Sequence, residues 1–189
     1  MGRTLTLAIL VMALVTTTAG SSDGAQRMIP PKVTLNRVEV AAFFPYAPPP
    51  ARVPLILAFV FDIENPNDFT VRFDELGFTY GFEAVPFRFI DLNTPRVYET
   101  MHIPPRTTNQ LRVVSVLDSL IVPSTLAVAE GRRVAELGIR IPDLVRSWWE
   151  TIGDFQYRIR VSNGTVRFAG EGGTVLVTFR GTFPPYPRR

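Results

Sequence analysis

The 189-residue chain has no cysteine and a single histidine, His102. The first absence excludes disulfides, a thiol nucleophile, thiolate metal sites and a lipid anchor on cysteine. The second means that any catalytic triad or histidine-ligated metal must be built around one residue. His102 stands beside Met101 and Ile103-Pro104, at a strand end entering a turn, and no Gly-x-Ser-x-Gly elbow accompanies it. Lysine is nearly missing as well: Lys32 is the only one among 20 basic residues, and the formal net charge is +3. A charge this mild points away from nucleic acid. No apolar run reaches the roughly 20 residues that a transmembrane helix needs.

What is present begins with an amino-terminal leader. Arg3, the apolar stretch Leu5 to Val15 and the small residues Thr17-Thr18-Ala19-Gly20 have the layout of a secretory signal peptide over 1–19, cleaved after Ala19 or Gly20. Retention as an uncleaved anchor is the alternative. Either way the chain is expected to be exported, to the periplasm or the outer face of the inner membrane. Residues 20–31 read as a linker, 32–183 as one domain and 184–189 as a tail. Hydrophobic residues make up 46% of the chain, enough to fill a single core of this size.

Within the domain the pattern is that of strands. Val33 to Val40 is the first, with a bulge expected near Asn36-Arg37 where the apolar positions change parity. Phe43 to Arg52 is a proline-rich loop carrying Phe43, Phe44 and Tyr46. In the segment from Phe59 to Asp68, Phe59, Phe61 and Ile63 point one way and Asp62 and Glu64 the other. This strand runs into the turn Asn65-Pro66-Asn67, where proline fixes φ and asparagine tolerates the unusual angles that follow. Shorter strands are expected over Pro86 to Ile90 and Val97 to Ile103, and a longer one over Gln110 to Leu117. Phe155, Tyr157, Ile159 and Val161 alternate with polar residues, and Asn163-Gly164 predicts a hairpin turn joining them to Thr165 to Ala169. Thr174 to Thr182 closes the sheet.

Between the strands the period changes. Leu126 to Leu137 has helical spacings, and Pro142-Asp143 opens an amphipathic helix through Trp148 and Trp149 to Ile152, stopped by Gly153. Adjacent residues on a helix point about 100° apart, so the pair is expected to divide, one tryptophan in the core and the other free for a membrane interface or a protein partner. Seven or eight strands with a helical insertion near 123–152 predict an all-β antiparallel β-sandwich.

Three further clusters read as structure rather than chemistry. Asp62, Glu64 and Asp74-Glu75 are expected on solvated faces, although carboxylates so placed also suit a glycosidase or a calcium site. Gly170-Glu171-Gly172-Gly173 has no helix after it to receive phosphate and reads as a flexible loop. Arg158 and Arg160, with Arg132-Arg133 and Arg188-Arg189, suit acidic lipid headgroups or an acidic partner. No catalytic residue, cofactor, metal or small-molecule substrate is expected.

The order of these segments resembles the WHy domain (water stress and hypersensitive response) of group 2 late-embryogenesis-abundant proteins. The resemblance rests on the opening strand, the long strand ending at Asn65-Pro66-Asn67, and the following Phe78-Thr79-Tyr80-Gly81-Phe82. It extends through Ile103-Pro104-Pro105-Arg106-Thr107-Thr108, Tyr157 to Val161, and Phe179-Arg180-Gly181-Thr182-Phe183-Pro184. The chain departs from the family pattern over Val122 to Ile152, which is longer and more helical. The resemblance implies the same fold, an immunoglobulin- or fibronectin-like antiparallel β-sandwich, in an exported bacterial member, a non-enzymatic protein of stress and desiccation tolerance that shields other proteins or membranes. An alternative from the residues is a structural subunit docked on a membrane complex, photosynthetic or respiratory, through Phe43, Phe44, Tyr46, Trp148 and Trp149.

Overall fold

The structure is a computed structural model and describes residues 27–186. The leader and Arg188-Arg189 lie outside the described residues. Among the described residues nine strands and three helices follow one another: β1 (Lys32–Ala42), β2 (Pro54–Glu64), β3 (Val71–Val85), β4 (Arg88–Asn93), β5 (Arg96–Val97), β6 (Met101–Ile103), β7 (Thr108–Asp118), α1 (Ile121–Ala129), α2 (Gly131–Glu136), α3 (Ile141–Thr151), β8 (Ile159–Gly170) and β9 (Gly173–Phe183). A 3-10 turn, Ile152–Asp154, ends α3.

These strands make two antiparallel sheets packed face to face, a β-sandwich with a helical insertion. One sheet has the order β1-β2-β7; the other runs β4-β3-β8-β9, with β5 and β6 also paired to β3. The core lies between them because the two-residue period puts Leu55, Leu57, Phe59, Phe61 and Ile63 of β2 on one face, all fully buried. They meet the aromatic column of β3. Ring centroids are 4.7 Å apart for Phe59 and Tyr80 and 5.1 Å for Phe61 and Phe78. Each such side chain withdrawn from water contributes roughly 1.5–3 kcal/mol, so this column alone is a large share of the driving force.

Three strands carry apolar residues whose parity changes partway, and each change coincides with an extra residue. In β1 the register with β2 slips between Leu35 and Arg37, which places the expected bulge at Asn36. In β3, Val71 and Phe73 face the core on odd positions while Leu76, Phe78, Tyr80 and Phe82 face it on even ones; the slip falls between Phe73 and Glu75. In β8, Ile159 and Val161 give way to Val166 and Phe168, with the slip between Val161 and Gly164. An inserted residue keeps the core face continuous where strict alternation would turn it to solvent.

The third slip corrects the reading of Asn163-Gly164. The dipeptide is not a hairpin turn but a bulge inside one long strand, with Asn163 at φ 50°. Gly164 is required there, because a Cβ would lie 2.6 Å from the Phe179 carbonyl oxygen. The hairpin comes later. Gly170 pairs with Gly173, so Glu171-Gly172 is a two-residue turn and the glycine-rich run is its frame.

The insertion is helical, as its spacing predicts, and opens slightly earlier, at Ile121. Pro142 and Asp143 occupy the first turn of α3. The expected division of the tryptophans does not occur: Trp148 and Trp149 are both buried, at 1% and 0% exposure. α3 lies in a corner, and its two directions are covered by different neighbours. Trp148 packs edge-on against Phe82 at 5.4 Å and donates through Nε1 to the Glu83 carbonyl at 3.0 Å. Trp149 donates to the Val53 carbonyl at 3.2 Å, ahead of β2. A 100° separation keeps one residue out of a single packing surface, but not out of two.

Candidate functional site

Asn65-Pro66-Asn67 forms a buried polar node. Asn65 is fully buried, and its Nδ2 lies within hydrogen-bond distance of three carbonyls: Phe69 at 2.8 Å, Ile103 at 3.1 Å and Pro104 at 3.0 Å. Its Oδ1 accepts from the backbone N–H and the Nδ2 of Asn67, at 3.0 and 2.9 Å. Asn67 then reaches the segment before β1. Its Oδ1 accepts from the Ile29 N–H at 2.7 Å, and its Nδ2 donates to the Ile29 carbonyl at 2.9 Å. Two adjacent amides thus tie together the turn after β2, the turn before β7 and the amino-terminal segment. Buried amides are stable only when satisfied, so the node is a clamp and not an open site.

This also corrects the linker. The stretch read as a tether over 20–31 ends in fixed structure: Met28 is buried in the core and Ile29 is held by Asn67. The tail is engaged too, since Tyr186 stacks on Phe87 at 5.5 Å and the Arg158 guanidinium lies 4.3 Å from the Tyr186 ring centre.

The carboxylates read as solvated are held by arginines and amides. Asp62 accepts from Asn36 at 2.6 Å and Gln110 at 2.8 Å; Glu75 accepts from Arg96 at 3.0 Å and pairs with Arg167 at 3.4 Å. His102 is exposed on β6, in register with Arg72. Of the arginines, Arg158 pairs with buried Glu83 at 3.4 Å and Arg160 with Asp91 at 2.9 Å.

Several exposed apolar side chains share one place, the outer face of the three-stranded sheet and its end, while Phe87, Tyr98, Val128 and Leu176 are exposed elsewhere. On this face β2 presents Ile56, Ala58 and Val60, flanked in register by β7 residues Val116, Val114 and Arg112. Val114 and Val116 are 49% and 57% exposed. Ile56 lies beside Ala42, the last residue of β1, so Phe43 and Phe44 leave the sheet at this same end, both exposed. Leu120 and Ile121 follow β7 directly and are exposed as well. Tyr46, by contrast, packs against the core and is half-buried. Of the five residues marked for partner contact, two face solvent, one is half-buried and two are core.

The outward residues of β7 are not among those that the sequence pattern singles out for contact. The signal was in its sequence: an outer-facing row of Arg112, Val114 and Val116 is more apolar than a solvated sheet face requires. The other end of the face is polar. There Glu39 of β1 reaches across β2 to Arg112 of β7 at 3.3 Å while holding Arg37 at 2.8 Å. These side chains roof Ala58 and Val60, which are buried although they point outward.

Comparison with protein-family models and with curated protein sequences finds no match. Among solved structures the chain is similar to an Arabidopsis thaliana protein in solution, at 11% identity and a TM-score of 0.49, covering 88% of this chain and 90% of that one. It is also similar to a Bordetella pertussis protein, at 11% identity, TM-score 0.44, and 86% and 98% coverage. A protein from Archaeoglobus fulgidus matches at 10% identity, TM-score 0.36, and 82% and 95% coverage.

Proposed function

We propose that this chain is a non-enzymatic, exported stress-protection protein of the WHy type, related to desiccation tolerance, which binds or shields envelope proteins or membranes through a folded surface. The observation that carries the reading is the apolar end of the three-stranded sheet. Phe43, Phe44, Ile56, Val114, Val116 and Ile121 share one region and are not closed over by the described residues. Partly unfolded proteins and lipid surfaces both present apolar area that such a region can cover, and its burial is favourable without directional chemistry. The Asn65-Pro66-Asn67 node supports the family part of the reading, because the motif turn has a structural duty that any residue unable to donate and accept would fail.

The test is protection of an unrelated enzyme from inactivation by drying, measured with and without this protein. Wild type is expected to preserve activity, and the triple substitution F43S/F44S/V116S to lose most of that effect at unchanged melting temperature. Full protection by the triple variant would sink the reading.

A second reading, a structural subunit docked on the outer face of a membrane complex, is favoured by the same exposed Phe43 and Phe44 on their proline-stiffened loop. Gentle solubilisation of native membranes separates the two. Comigration with a large assembly supports the subunit, and migration alone supports the free protector.

A further inference from the structure

β7 is the outer strand of its sheet, and among the described residues no strand pairs with its free edge. Its register with β2 is unbroken from Pro54 against Asp118 to Glu64 against Thr108. It contains no proline, no lysine and no bulge, the usual devices by which an edge strand is kept from pairing. Hydrogen bonds at its two ends set the phase. The Asn65 N–H donates to the Thr107 carbonyl at 2.8 Å, and the Ser119 N–H to the Val53 carbonyl at 3.1 Å. Odd-numbered residues of β7 therefore bond to β2, and the backbone groups of Gln110, Arg112, Val114, Val116 and Asp118 are directed away from it. The same even-numbered residues carry the exposed outer-face side chains.

We propose that β7 pairs antiparallel with β7 of a second copy of this chain, about a twofold axis at Ser115. Charge complementarity selects this register. It sets Arg112 against the partner's Asp118, twice by symmetry, and Val114 against the partner's Val116. Within its own chain Arg112 also lies 3.3 Å from Glu39, and Asp118 also pairs with Arg52 at 3.0 Å. Centring the axis on Val114 instead sets Arg112 against valine and Gln110 against Asp118. Centring it on Val116 sets Val114 against Asp118, and centring it on Arg112 opposes two like charges. Only the axis at Ser115 joins opposite charges and apolar side chains together. The result is one six-stranded sheet, β1-β2-β7-β7-β2-β1, in which the two apolar faces become continuous. Leu120 and Ile121, exposed directly after β7, extend the contact beyond the strand.

This inference is separate from the proposed function: a monomer would refute it and leave a protective surface intact. The test is sedimentation equilibrium of the full chain over a wide concentration range, where a mass twice that of the chain is expected. Val114→Lys places a charge in the paired edge without touching the core and should give a monomer with unchanged melting temperature. The register has its own readout, because the chain has no native cysteine. Residues facing in a hydrogen-bonded pair lie about 5.5 Å apart at Cα, within disulfide range, while diagonal neighbours lie about 7–8 Å apart. An equal mixture of the Val114→Cys and Val116→Cys chains should therefore cross-link on oxidation about tenfold faster than either chain alone. A monomeric wild type, a Val114→Lys variant that stays dimeric, or equal cross-linking in the mixed and single samples would overturn the proposal.

Discussion

Asn67 donates its side-chain Nδ2 to the Oδ1 of Asn65 at 2.9 Å, and the two amides together satisfy contacts from three separate parts of the chain. Replacing Asn65 by alanine removes a donor from the carbonyls of Phe69, Ile103 and Pro104 and an acceptor from Asn67. Each buried group left unpaired costs about 1–3 kcal/mol, so Asn65→Ala is expected to lose at least ~3 kcal/mol in a urea titration. Asn65→Asp, nearly the same shape, should be no better, because it turns an acceptor towards three carbonyls.

Asn67→Ala acts on a smaller region. It releases Ile29 from both of its hydrogen bonds while the Asn65 contacts to the turn before β7 remain. The global loss should be about 1–2 kcal/mol, but the bond after Arg27 should become a site of rapid tryptic cleavage. Equal cleavage of variant and wild type would show that the amino-terminal segment is held by something else.

The tryptophans give a spectroscopic check of the helical insertion. With both indoles buried and hydrogen-bonded to carbonyls, native emission should be blue-shifted and nearly inaccessible to acrylamide. Trp149→Phe leaves the ring volume mostly filled and removes one donor from Val53, at a cost of about 1–2 kcal/mol. An exposed component in the quenching curve would restore the divided arrangement that helix geometry alone suggests.

The points where sequence and structure part share one physical cause. Alternation identified the strands because a buried face has a period of two wherever the strand is regular, as in β2 and β7. The bulge at Asn36 was legible because parity changed within one short apolar run. The bulge at Asn163 was not, because Asn-Gly is chosen for positive φ, and both a hairpin and a bulge need that conformation. Local chemistry names the backbone angle, and only the pairing partners decide its use. The same holds for Trp148-Trp149 and for Met28: burial of an adjacent pair, or of a residue in a polar segment, depends on how many neighbours converge there. The solvent face of β7 was readable as pattern, yet its place at the sheet edge follows only from topology.

Alkaline pH probes two buried phenols. Burial pushes the Tyr80 hydroxyl up to about 12, against the ordinary value of 10.0, even though it lies 2.9 Å from the Ser115 hydroxyl. Burial raises Tyr157 too, whose hydroxyl donates to the Trp148 carbonyl at 3.0 Å. A group whose folded pKa is raised contributes stability that is complete below its unfolded value and is lost as pH climbs towards the folded one. Stability in urea should therefore fall from pH 10 upward, and less steeply in Tyr80→Phe. Ultraviolet titration should show two phenols that ionise only well above pH 10, and ionisation of both near pH 10 would contradict the packing.

Acid pH probes the roof over β2. Hydrogen bonds from Arg37 and then Arg112 hold the Glu39 carboxyl below the ordinary value of 4.5. A depressed folded pKa gives stability that is present above the unfolded value and lost as pH falls through the folded one. Glu39 remains about one-third open to solvent, at 34% side-chain exposure, so the effect is best read as a titration shift. In a carboxyl-resolved NMR titration Glu39 should titrate below a free glutamate, and Arg112→Ala should move it part of the way back.

Asn163 and Gly164 separate two constraints that a hairpin would have combined. Asn163 sits at φ 50°, so Asn163→Gly is expected to be nearly neutral and Asn163→Ala to cost about 1 kcal/mol. Gly164 is limited by space instead: an added Cβ would meet the Phe179 carbonyl at 2.6 Å and its ring at 2.7 Å. The carbonyl belongs to the paired strand and cannot move without disturbing the register that brings Phe179 against Phe61. Gly164→Ala should therefore cost about 2–3 kcal/mol, more than the change at the residue whose backbone angle is the rarer one. If Asn163→Ala proved the costlier, backbone strain and not strand packing would govern the bulge.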